Sequence, residues 1–203
     1  MTAKSGSYIA IDSDLTHEQT WMQYPDYVLQ AEITDKGENR FGSDDVFIYY
    51  HTDAAALRLL GQWFAWMRVN GVYDNTRIVI ASDHGRRFHG ENKVLDTDFD
   101  KKELAVYNAL LMYKDFGAVG ELAADPTFMT IADIAFMATK GISEEPSNPF
   151  TGNKFVKKEL KEGFTVVTGG NDPANHGKYK FNYTEKYRVK DNIFKAANWE
   201  KLK

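Results

Sequence analysis

The 203 residues contain no cysteine. That absence excludes disulfides, thiolate zinc sites and cysteine nucleophiles together, and it leaves the compartment open. Long apolar runs are missing too: none reaches the ~18–20 residues of a membrane span. The amino terminus carries no signal-peptide pattern. Charge is nearly balanced, with a net charge of -4 and a pI near 5.8, so electrostatics give no reason to expect nucleic acid as a partner. Lysines and arginines are scattered among acids, as on a solvated surface. What the chain does have is 43% hydrophobic and 14% aromatic residues, enough for an ordinary core and against disorder. One domain is the default at ~100–200 residues per domain. No internal repeat or low-complexity segment is present.

Ser7 to Ile11 reads as a short strand entering the polar turn Asp12-Ser13-Asp14. A long loop follows, carrying Thr16-His17-Glu18 and an aromatic, proline-containing stretch around Pro25. Loops of that length tend to be functional. A helix is expected from about Asp44 to Asn70, capped by Ser43 or Asp44 and ended by Gly71. Phe47, Tyr50, Ala54, Leu57, Leu60, Phe64 and Met67 step by three or four and mark its core face; Trp63 and Trp66 widen that face and are expected to be buried.

Turn residues 73–76 and the β-branched run Arg77 to Ala81 predict a buried strand, which with the helix makes half of a βαβ layer. Further expectations are a strand over 106–113, an amphipathic helix over 130–139 with Ile131, Ile134, Ala135 and Ala138 on one face, and β structure at 164–168 and 178–188. The domain reading is one α/β unit over 7–142, a linker over 143–163, and a β-rich extension over 164–203 packing on the same domain.

In an α/β sheet, ligands gather beyond the carboxyl ends of strands. Both loops that leave such ends carry a histidine at once, His17 and His84. Asp83 and His84 are adjacent, anchored by a stiff strand and freed by Gly85. A carboxylate and an imidazole offered together suit a divalent cation of the zinc, manganese or magnesium type. The bland alternative is a turn aspartate capping a backbone amide beside a surface histidine.

The stretch Gly71-Val72-Tyr73-Asp74-Asn75-Thr76-Arg77-Ile78-Val79-Ile80-Ala81-Ser82-Asp83-His84-Gly85 resembles a signature of the alkaline phosphatase superfamily. It looks most like the branch of sulfatases, lipoteichoic acid synthases and phosphoethanolamine transferases. There a long helix, a Gly-hydrophobic-Tyr-Asp-Asn-Thr turn and a buried strand deliver an Asp-His pair to the metal. Thr16-His17-Glu18, the Pro25-Asp26-Tyr27 segment and Thr130 to Ala135 with its Asp133 are similar at lower specificity, so that the resemblance covers roughly residues 7 to 142.

The resemblance implies a sulfatase-like sheet flanked by helices, and a divalent ion (Zn, Mn, Mg or Ca) held by Asp83 and His84. It implies His17 as a catalytic group contacting the transferred phosphate or sulfate. His89 and Arg86 become candidate substrate-binding residues for an anionic ester; Arg87 shares that loop. The family's nucleophile and its remaining acidic ligands lie upstream of anything matched here, so no nucleophile is assigned.

The expectation is the carboxy-terminal part of a longer hydrolase or transferase, inactive alone, with the amino-terminal part of the same polypeptide as partner. The parent is expected to be membrane-anchored and extracytoplasmic. A different class of reading is a non-catalytic module binding anionic glycans or lipid head groups through Arg86, Arg87 and the tyrosine-rich tail. His51 and Asp53 lean towards structural roles on the long helix, and His176 is a possible late ligand.

Overall fold

The computed structural model describes residues 6–22, 24–31, 44–86, 104–125, 127, 129–143, 145–147, 152–154, 163–170 and 182–203. Its largest element is α1 (Asp44–Val69). Burial is concentrated in the first half of α1, at Val46, Phe47, Tyr49, His51, Thr52 and Ala55, and returns at Met67. The expected core stripe holds only in part. Phe47 and Met67 are buried, but Tyr50 and Leu57 are exposed, and so are Trp63 and Trp66, the latter at 58%. Periodicity tells which residues share a face; it does not supply an element to cover that face.

The exit from α1 follows from its sequence. Gly71 takes φ +67°, a left-handed conformation that favours glycine. Its N–H donates to the Arg68 carbonyl, and the Val72 N–H donates to the Met67 carbonyl, both at 3.0 Å. This is a Schellman cap, which satisfies carbonyls the helix end leaves open. Thr76 then closes the turn by donating its hydroxyl to the Val72 carbonyl at 2.7 Å.

The turn leads into β1 (Ile78–Ala81), which pairs antiparallel with β2 (Leu111–Lys114), Ile78 opposite Lys114 and Ala81 opposite Leu111. The fold is a mixture of helices with small antiparallel sheets, and the parallel βαβ layer expected around β1 is not formed among the described residues. β1 is half-buried at Ile78, Val79 and Ile80 rather than enclosed. The strand expected over 106–113 is shorter and later. A 3-10 turn, Leu104–Tyr107, precedes β2. The carbonyls of Val106 and Leu110 accept the N–H groups of Gly85 and Ser82, which aligns this stretch with the loop leaving β1.

Residues 7–11 form no strand. They run exposed, with Tyr8 at 86%, because alternation makes a strand only where a neighbouring edge takes up its backbone bonds. Over 130–139 there is a 3-10 turn, Ile131–Asp133, and a short helix α2 (Ile134–Thr139) whose buried residue is Met137. Ile131 and Ala135, expected on the apolar face, are exposed.

A cationic knot fixes the entry to β1. Arg77 has a buried side chain that donates to Asp115 Oδ1 from Nε (3.0 Å) and Nη2 (2.7 Å). Its Nη1 donates to the carbonyls of Ala138 (3.0 Å) and Lys140 (2.5 Å) at the end of α2. Lys114 Nζ donates to the carbonyls of Tyr73, Thr76 and Asp115 at 2.8–3.0 Å. Hydrogen bonds from Arg77, then from the Tyr113 hydroxyl and the Phe116 N–H, hold the Asp115 carboxyl down at about 2.

A depressed carboxyl pKa stabilises the fold above the unfolded value of ~3.9, and that contribution is lost as pH falls towards the folded value. The wild-type chain is therefore expected to exceed Asp115→Asn in urea midpoint at pH 6. The gap should begin to close below about pH 5 and be mostly lost by about pH 2. A gap that is constant from pH 6 to pH 2 would contradict this assignment.

The tail forms a three-stranded antiparallel sheet, β3 (Phe164–Gly170), β4 (Asn182–Val189) and β5 (Trp199–Leu202), in that order. Tyr187, Val189, Ala196 and Trp199 enclose Leu104, with Tyr107 and Phe164 packed against the cluster. Trp199 donates its indole N–H to the Ile193 carbonyl at 2.8 Å, so its polar edge is satisfied. Part of the expected linker is also folded back: Ser147 bridges Lys154, and Lys154 pairs with Glu145 at 2.6 Å. Among the described residues, no helix is long and apolar enough to cross a membrane.

Candidate metal centre

The loop leaving β1 carries Asp83 and His84 with side-chain exposures of 85% and 55%. Asp83 Oδ1 accepts the backbone N–H of His84 at 2.8 Å, so the turn-cap role is present. The second oxygen is left for other work: Oδ2 stands 3.5 Å from His84 Nε2. The other ring nitrogen of His84, Nδ1, lies 2.6 Å from the Gly85 carbonyl. A carbonyl only accepts, so Nδ1 carries the hydrogen, and in the neutral ring Nε2 presents its lone pair. Backbone acceptance at one imidazole nitrogen is what orients the other toward a metal.

The spacing matters chemically. Two ligands at ~2.0–2.2 Å from a tetrahedral ion stand ~3.3–3.6 Å apart, which is the Oδ2–Nε2 separation found here. The pair fits one edge of such a site. Among the described residues, no third histidine, aspartate or glutamate joins it.

Gly85 has a different role from the one its sequence position suggests. A side chain there would run into the backbone carbonyls of Ala105 and Asn108, the latter 2.7 Å from an added Cβ. Its N–H donates to the Val106 carbonyl at 2.8 Å. Glycine is needed for close backbone approach, and the result is a loop clamped onto the 104–108 turn.

His17 sits in an exposed turn, its N–H donating to the Asp14 carbonyl at 3.0 Å and its Nδ1 2.9 Å from Glu18 Oε1. Arg86 brings this turn to the loop: Nη1 is 3.4 Å from the His17 carbonyl, and Nη2 donates to the Tyr49 hydroxyl. The guanidinium also lies over the Tyr49 ring, 4.0 Å from its centroid. One turn along α1, Thr52 donates its hydroxyl to the Thr20 carbonyl at 2.8 Å. Tyr49 and Thr52 were not singled out by periodicity, since neither belongs to the three-four stripe. The signal available was the polar-aromatic cluster Tyr49-Tyr50-His51-Thr52 inside an apolar helix.

His51 is buried among Phe47, Tyr50 and Tyr27, with ring centroids 4.4, 5.3 and 5.9 Å away, a packing position. Asp53 is displaced from its usual carboxyl range, upward, by desolvation. Asp133 is engaged locally, accepting from the Thr130 N–H at 2.8 Å and lying 3.3 Å from its hydroxyl. His89, Arg87 and His176 lie outside the described residues. The chain matches no family model, no curated protein and no solved structure.

Proposed function

We propose that Asp83 and His84 are two ligands of a divalent metal ion in a sulfatase-like hydrolase or transferase acting on sulfate or phospho-head-group esters. The observation that carries this reading is the 3.5 Å gap between Oδ2 and Nε2, with Nδ1–H fixed on the Gly85 carbonyl. The motif from Gly71 to Gly85 supports the class of chemistry through its resemblance to the alkaline phosphatase superfamily.

A bound divalent ion supplies a Lewis acid that activates a hydroxyl nucleophile and balances charge on the transferred group. Asp83 would hold it through Oδ2 and His84 through Nε2. His17, in the turn that Arg86 ties to the same loop, would donate to a substrate oxygen. Completion of the ligand set and supply of the nucleophile are assigned to further polypeptide.

Calorimetric titration with Zn2+ and Mn2+ tests the reading. Binding in the micromolar-to-millimolar range is expected, weakened at least ~10-fold in Asp83→Ala and in His84→Ala, comparable to losses on disturbing metal sites. Equal binding in wild type and both variants, or none at millimolar metal, would remove the proposal. By the same reading the chain alone turns over neither aryl phosphates nor aryl sulfates. Turnover that is lost in Asp83→Ala would keep the metal and overturn the dependence on further polypeptide.

A further inference from the structure

We propose that Tyr49 is a positioning residue of this site, acting through Arg86 to register the His17 turn against the Asp83-His84 loop. The inference rests on the metal reading above and adds the device that brings its two histidine-bearing segments together. Val46, Tyr49, Thr52 and Ala55 step by three along α1, and all four are buried. A row with that spacing forms one continuous ridge on a helix.

Two positions of the ridge hold two different chain segments. Tyr49 engages Arg86, two residues beyond His84, and Thr52 engages Thr20, three residues beyond His17. Arg86 spans the two: its planar fork stacks on the Tyr49 ring, donates to the phenol oxygen, and points Nη1 at the His17 carbonyl. A guanidinium held on its face and at its edge has lost the freedom a flexible substrate-seeking arginine keeps. Arg86 is thereby reassigned, from a contact to an anionic substrate to a clasp between loops. Lysine keeps the charge but has neither the fork nor the flat face, so the clasp is specific to arginine.

The absence of native cysteine allows clean labelling, so spin labels at Glu18→Cys and Ala81→Cys report the separation of the two segments without any metal. A single narrow distance distribution is expected in the otherwise wild-type chain. Arg86→Gln and Tyr49→Leu, which removes the ring Arg86 lies on, should at least double its width. Arg86→Lys should widen it less, and Tyr49→Phe, which keeps the stacking ring, should stay closest to wild type. A Tyr49→Leu distribution as narrow as wild type overturns the role of Tyr49. Circular dichroism verifies that each variant is folded, and the two mild variants keep the test open should Arg86→Gln unfold. A distribution in Arg86→Gln or Arg86→Lys as narrow as wild type overturns the clasp.

The second arm adds Mn2+ and follows the imidazole proton resonances. Mn2+ should broaden His84 and His17 together in wild type, but only His84 in Arg86→Gln, an outcome that general loss of stability does not produce. Broadening of both histidines in both proteins overturns the clasp. Broadening of neither in wild type overturns the metal reading instead, and the label distances then decide the clasp alone.

Discussion

Gly85→Ala is expected to lower the melting temperature by roughly 5–10 °C and to weaken the metal binding proposed above at least ~10-fold. The added Cβ would meet the carbonyls of Ala105 and Asn108, which are backbone and have no rotamer to escape into. Overpacking of this kind costs typically ~1–3 kcal/mol, and each kcal/mol shifts the melting point of a chain this size by ~2–4 °C. Relief requires the loop to lift off the 104–108 turn, breaking the Gly85–Val106 hydrogen bond and moving the Gly85 carbonyl that orients His84. Gly61 supplies the control: it lies within α1 with open space around the position of a Cβ. Gly61→Ala should be neutral or stabilise by up to ~1 kcal/mol through helix propensity. Thermal denaturation of both variants, with zinc titration of each, checks the pair. A Gly85→Ala protein that melts and binds like wild type would show that the clamp does not constrain the loop.

Arg77→Ala should be the other severe substitution, destabilising by about 3 kcal/mol in urea denaturation. The guanidinium is nearly inaccessible, while its partner Asp115 remains 39% exposed, so solvent screens part of the ion pair. The larger loss comes from the part-buried Ala138 carbonyl, which would lose its hydrogen bond from Arg77, whereas the exposed Lys140 carbonyl can turn to water. Arg77 also stacks over Phe116, with its Cζ 4.6 Å from the ring centroid, and that packing disappears too. Arg77→Lys should recover only a minority of the loss, because a single ammonium cannot stand at the separate positions of Nε, Nη1 and Nη2 and has no flat face to lay on Phe116. Recovery to wild-type stability in Arg77→Lys would mean that charge alone matters at this position.

Sequence patterns located α1, its glycine stop, the turn after it, β1 and the first two tail strands, because each is determined by local chemistry. Gly71 after an apolar helix, and β-branched residues between turns, carry their instructions within a few positions. What escaped depends on partners distant in the chain. The alternation at Tyr8, Ile9 and Ile11 looks like a strand, yet strand formation is decided by an edge the segment itself does not provide. Trp63 and Trp66 suggested burial, whereas exposure is decided by what lies against α1.

The motif marks Asp83 and His84 as candidates, but the separation of their side chains and the nitrogen of His84 that faces the Gly85 carbonyl depend on the fold at Gly85 and are not written in it. In the sequence Gly85 signals freedom, whereas in the fold it permits close approach, and no local pattern announces that Ala105 and Asn108 approach its backbone. Tyr49 carries no local signal for the same reason: its partner Arg86 is reached only after α1, the turn and β1 have folded.

The turn over Leu104–Tyr107 faces two ways, and this sets a timetable for the molecule. Its backbone carries the loop of Asp83 and His84, while Leu104 is enclosed by Tyr187, Val189, Ala196 and Trp199. During synthesis Asp83 and His84 leave the ribosome long before those four residues exist. The floor beneath the loop thus gains its hydrophobic footing only when distant chain arrives and the long intervening loop closes. A nascent chain stalled before Tyr187 should hold Asp83 and His84 on a loosely seated loop, and the metal affinity proposed for them should mature as one of the last events of folding.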